Sequence, residues 1–433
     1  MLNFLGQGDR FCDGISRRSF LQIGALGIGG LTLADLLRLE ARAASGGSKK
    51  SVINIILSGG PTHLDTFDLK PNAPSEIRGE FRPIATSSPG LEICELMPKL
   101  AALGDNFSVV RSLTGVSEEH TNVQSSSGWP ENSLRSMGGR PSVGAVLSKL
   151  FGASQSNSTG SALTSVDLTN VSRPGFLGQV HAAFTPDGVG RQNLMLNDQV
   201  TLSRLDDRKE LLGGLDRLRR GSDTKGMMTA LDSFTERAVD LVTSGSIAKA
   251  LDLKNEDPRT LVKYGIEKDR QNQRLLLARR LIQAGSRCVA FSWGGWDTHS
   301  NNFGSMKTQL PNLDTGLSAL IEDLDGHGML QDTIILMSGE FGRTPRINGG
   351  AGRDHWARAG FFFIGGGGFR HGQAIGSTNR LGEVAHDRPV HLQNVFATVY
   401  KQLGIDPDVV TLTDPNGRPQ YLVDDRKLIT ELL

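Results

Sequence analysis

The chain has 433 residues, of which 38% are hydrophobic and 21% are charged, so it is long and apolar enough to form a buried core. Its 47 Lys and Arg residues nearly balance its 46 Asp and Glu residues, which leaves no strong field to attract nucleic acid or an acidic membrane. Three cysteines are too few for a disulfide-rich small domain. The composition therefore excludes a disordered chain and predicts no nucleic-acid partner.

The N-terminal segment resembles a bacterial export signal. Residues 16–21 read SRRSFL, an arginine pair before a small residue and two large apolar ones, which is typical of a twin-arginine signal. Residues 21–37 are only moderately apolar, whereas a membrane span would be longer and more apolar. Residues 41–43 supply a small-x-small cleavage site. We therefore expect residues 1–43 to be the signal peptide of a periplasmic or secreted bacterial protein without a stable transmembrane anchor. The alternative is a basic N-terminal arm with an amphipathic helix.

After a Gly/Ser/Lys-rich linker at 44–51, short apolar runs predict strands that are buried on both faces. These runs span residues 52–57, 107–113, 287–293, 333–338 and 361–364. Helical patterns separate several runs, and the clearest one, before the fourth run, has apolar residues at three- and four-residue spacing. That stripe consists of Leu313, Leu317, Leu320, Ile321 and Leu324. The alternation predicts one α/β layered domain over residues 52–433 with a mainly parallel central sheet.

Two segments interrupt this alternation. Residues 154–165 are rich in Ser, Thr and Gly and predict a loop. Residues 197–267 are charged and leucine-spaced without a strand signal, which predicts a helical insertion or a cap over the sheet. Cys94 and Cys288 lie in or beside apolar runs, so we expect buried thiols, although an oxidising compartment would also permit a disulfide between them.

Polar residues with ligand chemistry follow the predicted strands. In open parallel sheets, ligands bind at the carboxyl ends of the strands, so these positions are where chemistry is expected. The residues concerned are His63 and Asp65 after the first strand, Ser117 to Thr121 after the second, Asp297 and His299 after the third, Glu340 after the fourth, and Asp354 and His355 before the fifth. Their concentration at strand ends predicts a functional site there.

The strongest single feature is residues 293–299, which read WGGWDTH. Asp297 and His299 are two residues apart and would point the same way in extended backbone. A carboxylate oxygen and an imidazole nitrogen so placed suit one metal ion. Chance also produces such pairs, as Asp325 and His327 show at an expected helix end, so the strand-end position decides in favour of the first pair.

Further candidates follow the same reasoning. His63 and Asp65 come after a Gly-Gly-Pro turn, where the alternative is that Asp65 caps the next turn and His63 faces water. Glu340 follows a wholly apolar strand, and His355 precedes the fifth strand. Arg343 offers a planar fork for an anionic group, or else a surface ion pair. Carboxylates and imidazoles in this number fit one or two divalent metal ions of the kind used in phosphoryl transfer.

These motifs resemble one family that is common among exported bacterial proteins, the domain of unknown function 1501 family. The resemblance rests on the twin-arginine start and on residues 57–68, 294–299, 339–345 and 352–355, which read LSGGPTHLDTFD, GGWDTH, GEFGRTP and GRDH. It extends over essentially the whole chain after the signal. The family is in turn similar in fold to the alkaline phosphatase and sulfatase superfamily, which implies an alkaline-phosphatase-like layered fold.

The resemblance also implies a metal centre at the strand ends, with Zn, Mg, Ca or Mn as the divalent ion. Asp297, His299 and His355 would form one metal site, and Asp65 would take the first-strand carboxylate position. Glu340 would occupy the place of an Asp-His pair. Together with His63, these residues are the predicted ligands.

Two departures from the superfamily concern the metal site. Only Thr298 separates Asp297 from His299, where superfamily enzymes commonly have three residues. Glu340 and Phe341 replace the Asp-His pair, so one imidazole is lost.

The resemblance also implies a nucleophile, because in the superfamily a Ser, Thr or modified Cys lies about ten residues before a Gly that ends the motif. Counting back from Gly128 gives Ser117 as the first choice. Thr121, beside His120, is the second choice. The sulfatase pattern Cys-x-Pro-Ser-Arg is absent from the chain, which argues against a formylglycine sulfatase.

The sequence therefore predicts an exported, metal-dependent hydrolase of phosphate or sulfate esters. Its substrate would be a small-molecule or polysaccharide ester, with Arg343 orienting the oxyanion. The alternative is a non-catalytic protein on the same scaffold that binds anions or polysaccharides. The oligomeric state is left open.

Overall fold

The computed structural model describes residues 48–152, 154–156, 160–187 and 245–433. Its centre is a seven-stranded sheet, with strands named β1 to β7 in chain order. These strands are Ser51–Leu57, Phe107–Val110, Ser165–Asp167, Cys288–Trp293, Thr333–Ser338, Phe362–Gly366 and Ala374–Ile375. In space they lie in the order β7-β2-β6-β5-β1-β4-β3.

Strand β6 alone runs against the other strands of this sheet. β1 pairs in parallel with β4 and β5, β3 with β4, and β7 with β2, whereas β6 is antiparallel to both β5 and β2. The predicted mainly parallel α/β architecture is thereby confirmed. Because β6 is reversed, it begins at the edge where its neighbour β5 ends, with Phe363 opposite Met337. Residues that precede β6 can therefore reach the same edge as residues that follow β1, β4 and β5.

The helices of the described ranges are named α1 to α9 in chain order. They are Ser75–Arg78, Pro98–Ala101, Val123–Ser127, Val143–Phe151, Ser246–Leu251, Pro258–Lys263, Asn272–Gln283, Asn302–Gly326 and Leu392–Gln402. Shorter 3₁₀ turns are formed by Gly104–Asn106, Arg135–Met137, Gly175–Leu177, Gln179–His181 and Leu330–Asp332.

Helices cover the sheet on both faces. Ile53 and Ile55 of β1 belong to an apolar cluster with residues of α7 and α8, whereas Val52 belongs to a second cluster with residues of α4 and α9. This alternation follows from the period of two along a strand. All seven residues of β1 are buried, as the apolar run predicted, because a strand between two helical layers is shielded on both sides.

Short strand pairs lie outside the central sheet. Their members are Pro83–Ala85 with Glu92–Cys94, Leu113–Thr114 with Val390–His391, Ser154–Ser156 with Gly160–Ala162, Gly342–Arg343 with His355–Trp356, Ser377–Thr378 with Ala385–Asp387, and Thr411–Thr413 with Pro419–Tyr421. The pair that joins Gly342–Arg343 to His355–Trp356 bears on function, since it ties the segment after β5 to the segment before β6.

The structure bears on several of the sequence predictions. The predicted signal peptide, residues 44–47 of the predicted linker and most of the predicted insertion at 197–267 lie outside the described residues, and the described end of that segment forms α5 and α6. The predicted loop at 154–165 is wrong in part, because this segment contains a short hairpin and the start of β3. Cys94 and Cys288 are free and buried, as expected. None of the described helices has both the length and the hydropathy that a membrane crossing requires.

Candidate metal centre

The loop after β1 touches the loop after β4. Gly59 has a φ of +111°, and a Cβ atom at this position would lie 2.4 Å from the backbone nitrogen of Asp297. Only glycine tolerates both the positive φ and the close approach. The Gly-Gly-Pro turn therefore lets the residues that follow β4 sit directly beside the end of β1.

Four side chains converge at this edge: His120, Asp297, His299 and His355. Nε2 of His355 lies 2.9 Å from Nε2 of His120 and 3.0 Å from Nε2 of His299. Oδ1 of Asp297 lies 3.1 Å from Nε2 of His299 and 3.6 Å from Nε2 of His355. We call this set the histidine cluster.

The donor atoms of the histidine cluster fit a metal ion. A neutral imidazole offers one N–H donor and one lone pair, so Nε2 of His355 cannot hydrogen-bond well to the Nε2 atoms of both His120 and His299. Ligand atoms at about 2.0–2.1 Å from a tetrahedral zinc ion lie roughly 3.3 Å apart. The four separations given above are close to this value, whereas Nε2 of His120 and Oδ2 of Asp297 are 4.0 Å apart. Imidazole nitrogens suit zinc, whereas magnesium and calcium prefer oxygen ligands.

Arg343 holds Asp297 in place from within the protein. Its Nη2 atom lies 2.5 Å from Oδ1 of Asp297, and the guanidinium is fully buried. It also donates to the carbonyl oxygens of Gly60 at 2.8 Å, Arg353 at 3.0 Å, and Gly59. Burial acts to raise the pKa of Asp297, but the hydrogen bond and charge of Arg343 outweigh it, so that this pKa is lowered. Arg343 therefore contacts the candidate ligand Asp297 from the buried side of the site.

Asp354 orients His299 from the opposite side. Its Oδ1 atom lies 2.7 Å from Nδ1 of His299, and the side chain of Asn348 donates to the same carboxylate at 3.3 Å. The hydrogen bond to His299 lowers the pKa of Asp354. A carboxylate on the second nitrogen of a metal-binding imidazole is the usual way in which such a ring is oriented.

His355 is positioned by the short strand pair, where it lies opposite Arg343. The ring of Phe341 packs against it at a centroid distance of 4.5 Å, and against His120 at 5.2 Å. Burial, with the charge of Arg343, lowers the pKa of His355. The neutral imidazole that results has the lone pair a metal ion requires.

Three predicted ligands are not brought into the histidine cluster. Both carboxylate oxygens of Asp65 bind Arg353, at 2.7 and 3.1 Å. His63 is fully buried and its Nε2 atom lies 2.8 Å from the carbonyl oxygen of Gly382. Glu340 accepts hydrogen bonds from the backbone nitrogen of Gly59, at 2.9 Å to Oε2, and burial raises its pKa. These side chains lie near the strand ends, as predicted, but have other partners.

The predicted nucleophiles lie on the loop that carries His120. Gln124 fixes Ser117 by accepting from its backbone nitrogen at 2.9 Å and donating to its carbonyl oxygen at 2.8 Å. Thr121 directly follows His120 and lies two residues before the start of α3. Its Oγ1 atom is buried and has no hydrogen-bond partner within the described ranges.

His120 is the member of the cluster that the predicted ligand set left out. It is one of the polar residues after the second predicted strand, and that position indicated a site residue. Glu118 lies two residues before it, so the carboxylate-x-imidazole spacing that selected Asp297 and His299 is present here as well. Its convergence with His355, 235 residues further along the chain, is visible only in the fold.

The fold and the cluster define a mixed α/β protein with a candidate metal centre at the carboxyl edge of a mainly parallel sheet. The chain belongs to the family described as protein of unknown function DUF1501, which matches residues 49–433. The family resemblance in the sequence is thereby confirmed. No curated protein matches the chain.

Solved structures that resemble the chain include two enzymes of named type. The PsFucS1 sulfatase from Pseudoalteromonas sp. has a TM-score of 0.38 and 11% identity, over 91% of this chain and 79% of that one. The lipoteichoic acid synthase LtaP from Listeria monocytogenes has a TM-score of 0.36 and 12% identity, over 88% and 76% of the two chains. Ps i-CgsB, in complex with k-i-k-neocarrahexaose, has a TM-score of 0.36 and 10% identity, over 82% and 72%. At such low similarity these structures assign no activity to the chain.

Proposed function

We propose that the chain is a metal-dependent hydrolase of phosphate or sulfate esters. The observation that carries the proposal is the histidine cluster, in which His120, Asp297, His299 and His355 bring their donor atoms together from three separate segments. The ligand atoms of His120, Asp297 and His355 lie within 4.8 Å of one another, and Nε2 of His299 adjoins two of these residues, 3.0 Å from Nε2 of His355 and 3.1 Å from Oδ1 of Asp297. A catalytic metal ion is expected where such ligands lie together at the carboxyl edge of a parallel sheet.

The proposed centre is accessible from solvent. The side chains of Asp297, His120 and His299 are 49%, 47% and 46% exposed. An ester group can therefore approach the cluster, while Arg343 behind it is sealed from water. A metal ion held by these residues would supply a Lewis acid that polarises an ester oxygen and lowers the pKa of a water or hydroxyl. The chain's own part is to hold and orient the ligands.

We propose one ion per chain, with zinc favoured among the four ions that the family resemblance implies. Three imidazoles with one carboxylate are a nitrogen-rich set, which suits zinc better than magnesium, calcium or manganese. A second ion would need further carboxylates nearby. The oxygens of Asp65 are held by Arg353 and Asn302, and those of Glu340 by the backbone of Gly59.

For the attacking group we propose Ser117 first and Thr121 second, the order that the family resemblance implied. Thr121 adjoins His120, but its hydroxyl oxygen is buried, so an ester at the exposed cluster does not reach it in this conformation. Ser117 is three residues before His120. A water molecule is the third possibility. We assign no oxyanion role to Arg343, because its guanidinium already binds three carbonyl oxygens and Asp297.

The test is turnover by zinc-loaded protein on a panel of aryl phosphate, aryl phosphodiester and aryl sulfate. We expect hydrolysis of at least one ester and its loss in Asp297→Ala. Asp387→Ala removes an exposed carboxylate on another strand pair and is the matched control. Metal binding without turnover of any ester would overturn the hydrolase and favour the anion- or polysaccharide-binding alternative.

Export through the twin-arginine route is a separate proposal that rests on residues 16–21 and 41–43. Replacing Arg17 and Arg18 together by Lys keeps the charge but removes the arginine pair that defines this signal. We expect the wild-type chain to reach the periplasm or the medium in shortened form, and the variant to stay in the cytoplasm at full length. Export of the variant would contradict the assignment.

A further inference from the structure

We infer that Asp65 is a buried positioning residue that holds the two ligand-bearing loops of the metal centre in register. One loop carries Asp297 and His299, and the other carries His355. The inference rests on the proposed metal centre and gives Asp65 a different role from the ligand role that the sequence predicted for it.

The first connection runs through Arg353 to the loop of His355. Nε of Arg353 donates to Oδ2 of Asp65 at 2.7 Å, and Nη2 donates to Oδ1 at 3.1 Å. Both side chains are completely buried. Arg353 lies two residues before His355, so this bidentate pair fixes the backbone at which the second loop begins.

The second connection runs through Asn302 to the loop of Asp297 and His299. Nδ2 of Asn302 donates to Oδ2 of Asp65 at 2.9 Å. Its amide oxygen accepts from Oγ1 of Thr298 at 2.7 Å. Thr298 is the residue between Asp297 and His299, so the same carboxylate that anchors the second loop also anchors the first.

The two loops are also in direct contact. The backbone nitrogen of Arg353 donates to the carbonyl oxygen of Thr298 at 3.0 Å. A Cβ atom at Gly352 would lie 2.1 Å from the carbonyl oxygen of His299, so the backbones pack as closely as glycine allows. A displacement of Arg353 is therefore passed directly to the segment that bears Asp297 and His299.

A buried ion pair contributes little net stability compared with an apolar pair of the same size, because desolvation offsets the attraction. The contacts of Asp65 nevertheless fix both loops at once. Residues that hold metal ligands in place commonly alter metal affinity by about 10–100-fold when they are changed. We therefore expect the effect of Asp65 to be largest on metal binding.

The experiment compares zinc affinity and the absorption spectrum of the cobalt-loaded protein in two variants and a control. Asp65→Asn keeps the shape but loses the charge, and Thr298→Val removes the hydroxyl that binds Asn302. The control is Asp68→Asn, which alters a buried carboxylate three residues away that binds Lys70 at 2.9 Å and contacts neither ligand loop in the interactions described. Chelator competition gives the zinc dissociation constant, and no substrate is involved.

We expect the zinc dissociation constant to rise about 10–100-fold in Asp65→Asn, and to rise by a smaller factor in Thr298→Val, with altered cobalt spectra in both. Asp68→Asn should bind zinc as the wild type does, even where its thermal stability is lower. If Asp65→Asn does not fold, Thr298→Val decides the question alone.

The inference would be overturned if a folded Asp65→Asn had the zinc affinity and cobalt spectrum of the wild type. If only Thr298→Val can be tested, the same result in that variant would overturn it. Neither result would contradict the metal centre itself. Failure of the wild type itself to bind zinc or cobalt would overturn both the metal centre and the inference. Zinc binding without ester turnover would overturn the hydrolase alone.

Discussion

Nδ1 of His299 lies 2.7 Å from Oδ1 of Asp354. An ionised carboxylate can only accept a hydrogen bond, and the bond to His299 lowers the pKa of Asp354, which favours that ionised form. The Nδ1 atom therefore carries the proton. The lone pair of His299 is then on Nε2, which is the nitrogen that faces His355 and Asp297.

Asp354→Asn should weaken metal binding while leaving the fold intact. An amide can present either its oxygen or its nitrogen to Nδ1, so the tautomer of His299 is no longer fixed. We expect the zinc dissociation constant to rise about 10–100-fold, as for other residues that orient metal ligands, measured by chelator competition. Asp387→Asn, which changes an exposed carboxylate elsewhere, is the control, and equal affinities in the two variants would contradict the assignment.

Arg343→Lys should affect both stability and metal binding. Lys keeps the charge but cannot reach Asp297 and three carbonyl oxygens at once, because it lacks the guanidinium fork. Leaving a buried acceptor unsatisfied costs about 1–3 kcal/mol, so we expect the free energy of unfolding to fall by that amount in a denaturant titration. Zinc affinity should fall as well. The exposed Arg346→Lys should change neither quantity, and a fully stable Arg343→Lys would show that the buried fork is dispensable.

The two buried cysteines should be unreactive in the native protein. Burial raises the pKa of Cys94 and that of Cys288 to about 12 each, and the thiolate is the reactive form. We expect neither residue to be alkylated by iodoacetamide at pH 8 until denaturant is added, when both should react within minutes. Peptide mapping by mass spectrometry measures this. Rapid labelling of either cysteine without denaturant would contradict the buried positions.

The buried imidazole of His63 should make stability depend on pH. Burial lowers its pKa from the ordinary value of 6.5, so below that value the unfolded chain takes up a proton that the folded chain resists. Stability is therefore complete above pH 6.5 and falls as the pH drops below it. In thermal unfolding with chelator present, His63→Gln should lose less stability between pH 7 and pH 5 than the wild type. The exposed His386→Gln serves as the control, and parallel losses in all three proteins would contradict the prediction.

Much of the central sheet could be predicted because its longer strands are continuous apolar runs. The runs at 52–57, 287–293 and 333–338 correspond to β1, β4 and β5. Strands β3 and β7 have only three and two residues, too few to show a pattern. The reversed direction of β6 was not predictable either, since an apolar run carries no sign of strand direction.

The candidate site was predictable in position but only partly in membership. Asp297, His299 and His355 follow from the rule that ligands gather at strand ends. Asp65 satisfies the same rule, yet its partner Arg353 is 288 residues away in sequence. Whether a buried carboxylate meets a metal ion or an arginine depends on the packing of distant segments, which local sequence does not reveal.

The most direct test of the account is the metal stoichiometry of the purified chain, measured by mass spectrometry after equilibration with zinc and removal of loosely bound ions. We predict one zinc ion per chain in the wild type. His120→Ala and His355→Ala, which each remove a nitrogen from the cluster, should retain substantially less, and Asp387→Ala should retain one. A wild type that holds no zinc, or cluster variants that still hold a full equivalent, would contradict the proposed centre.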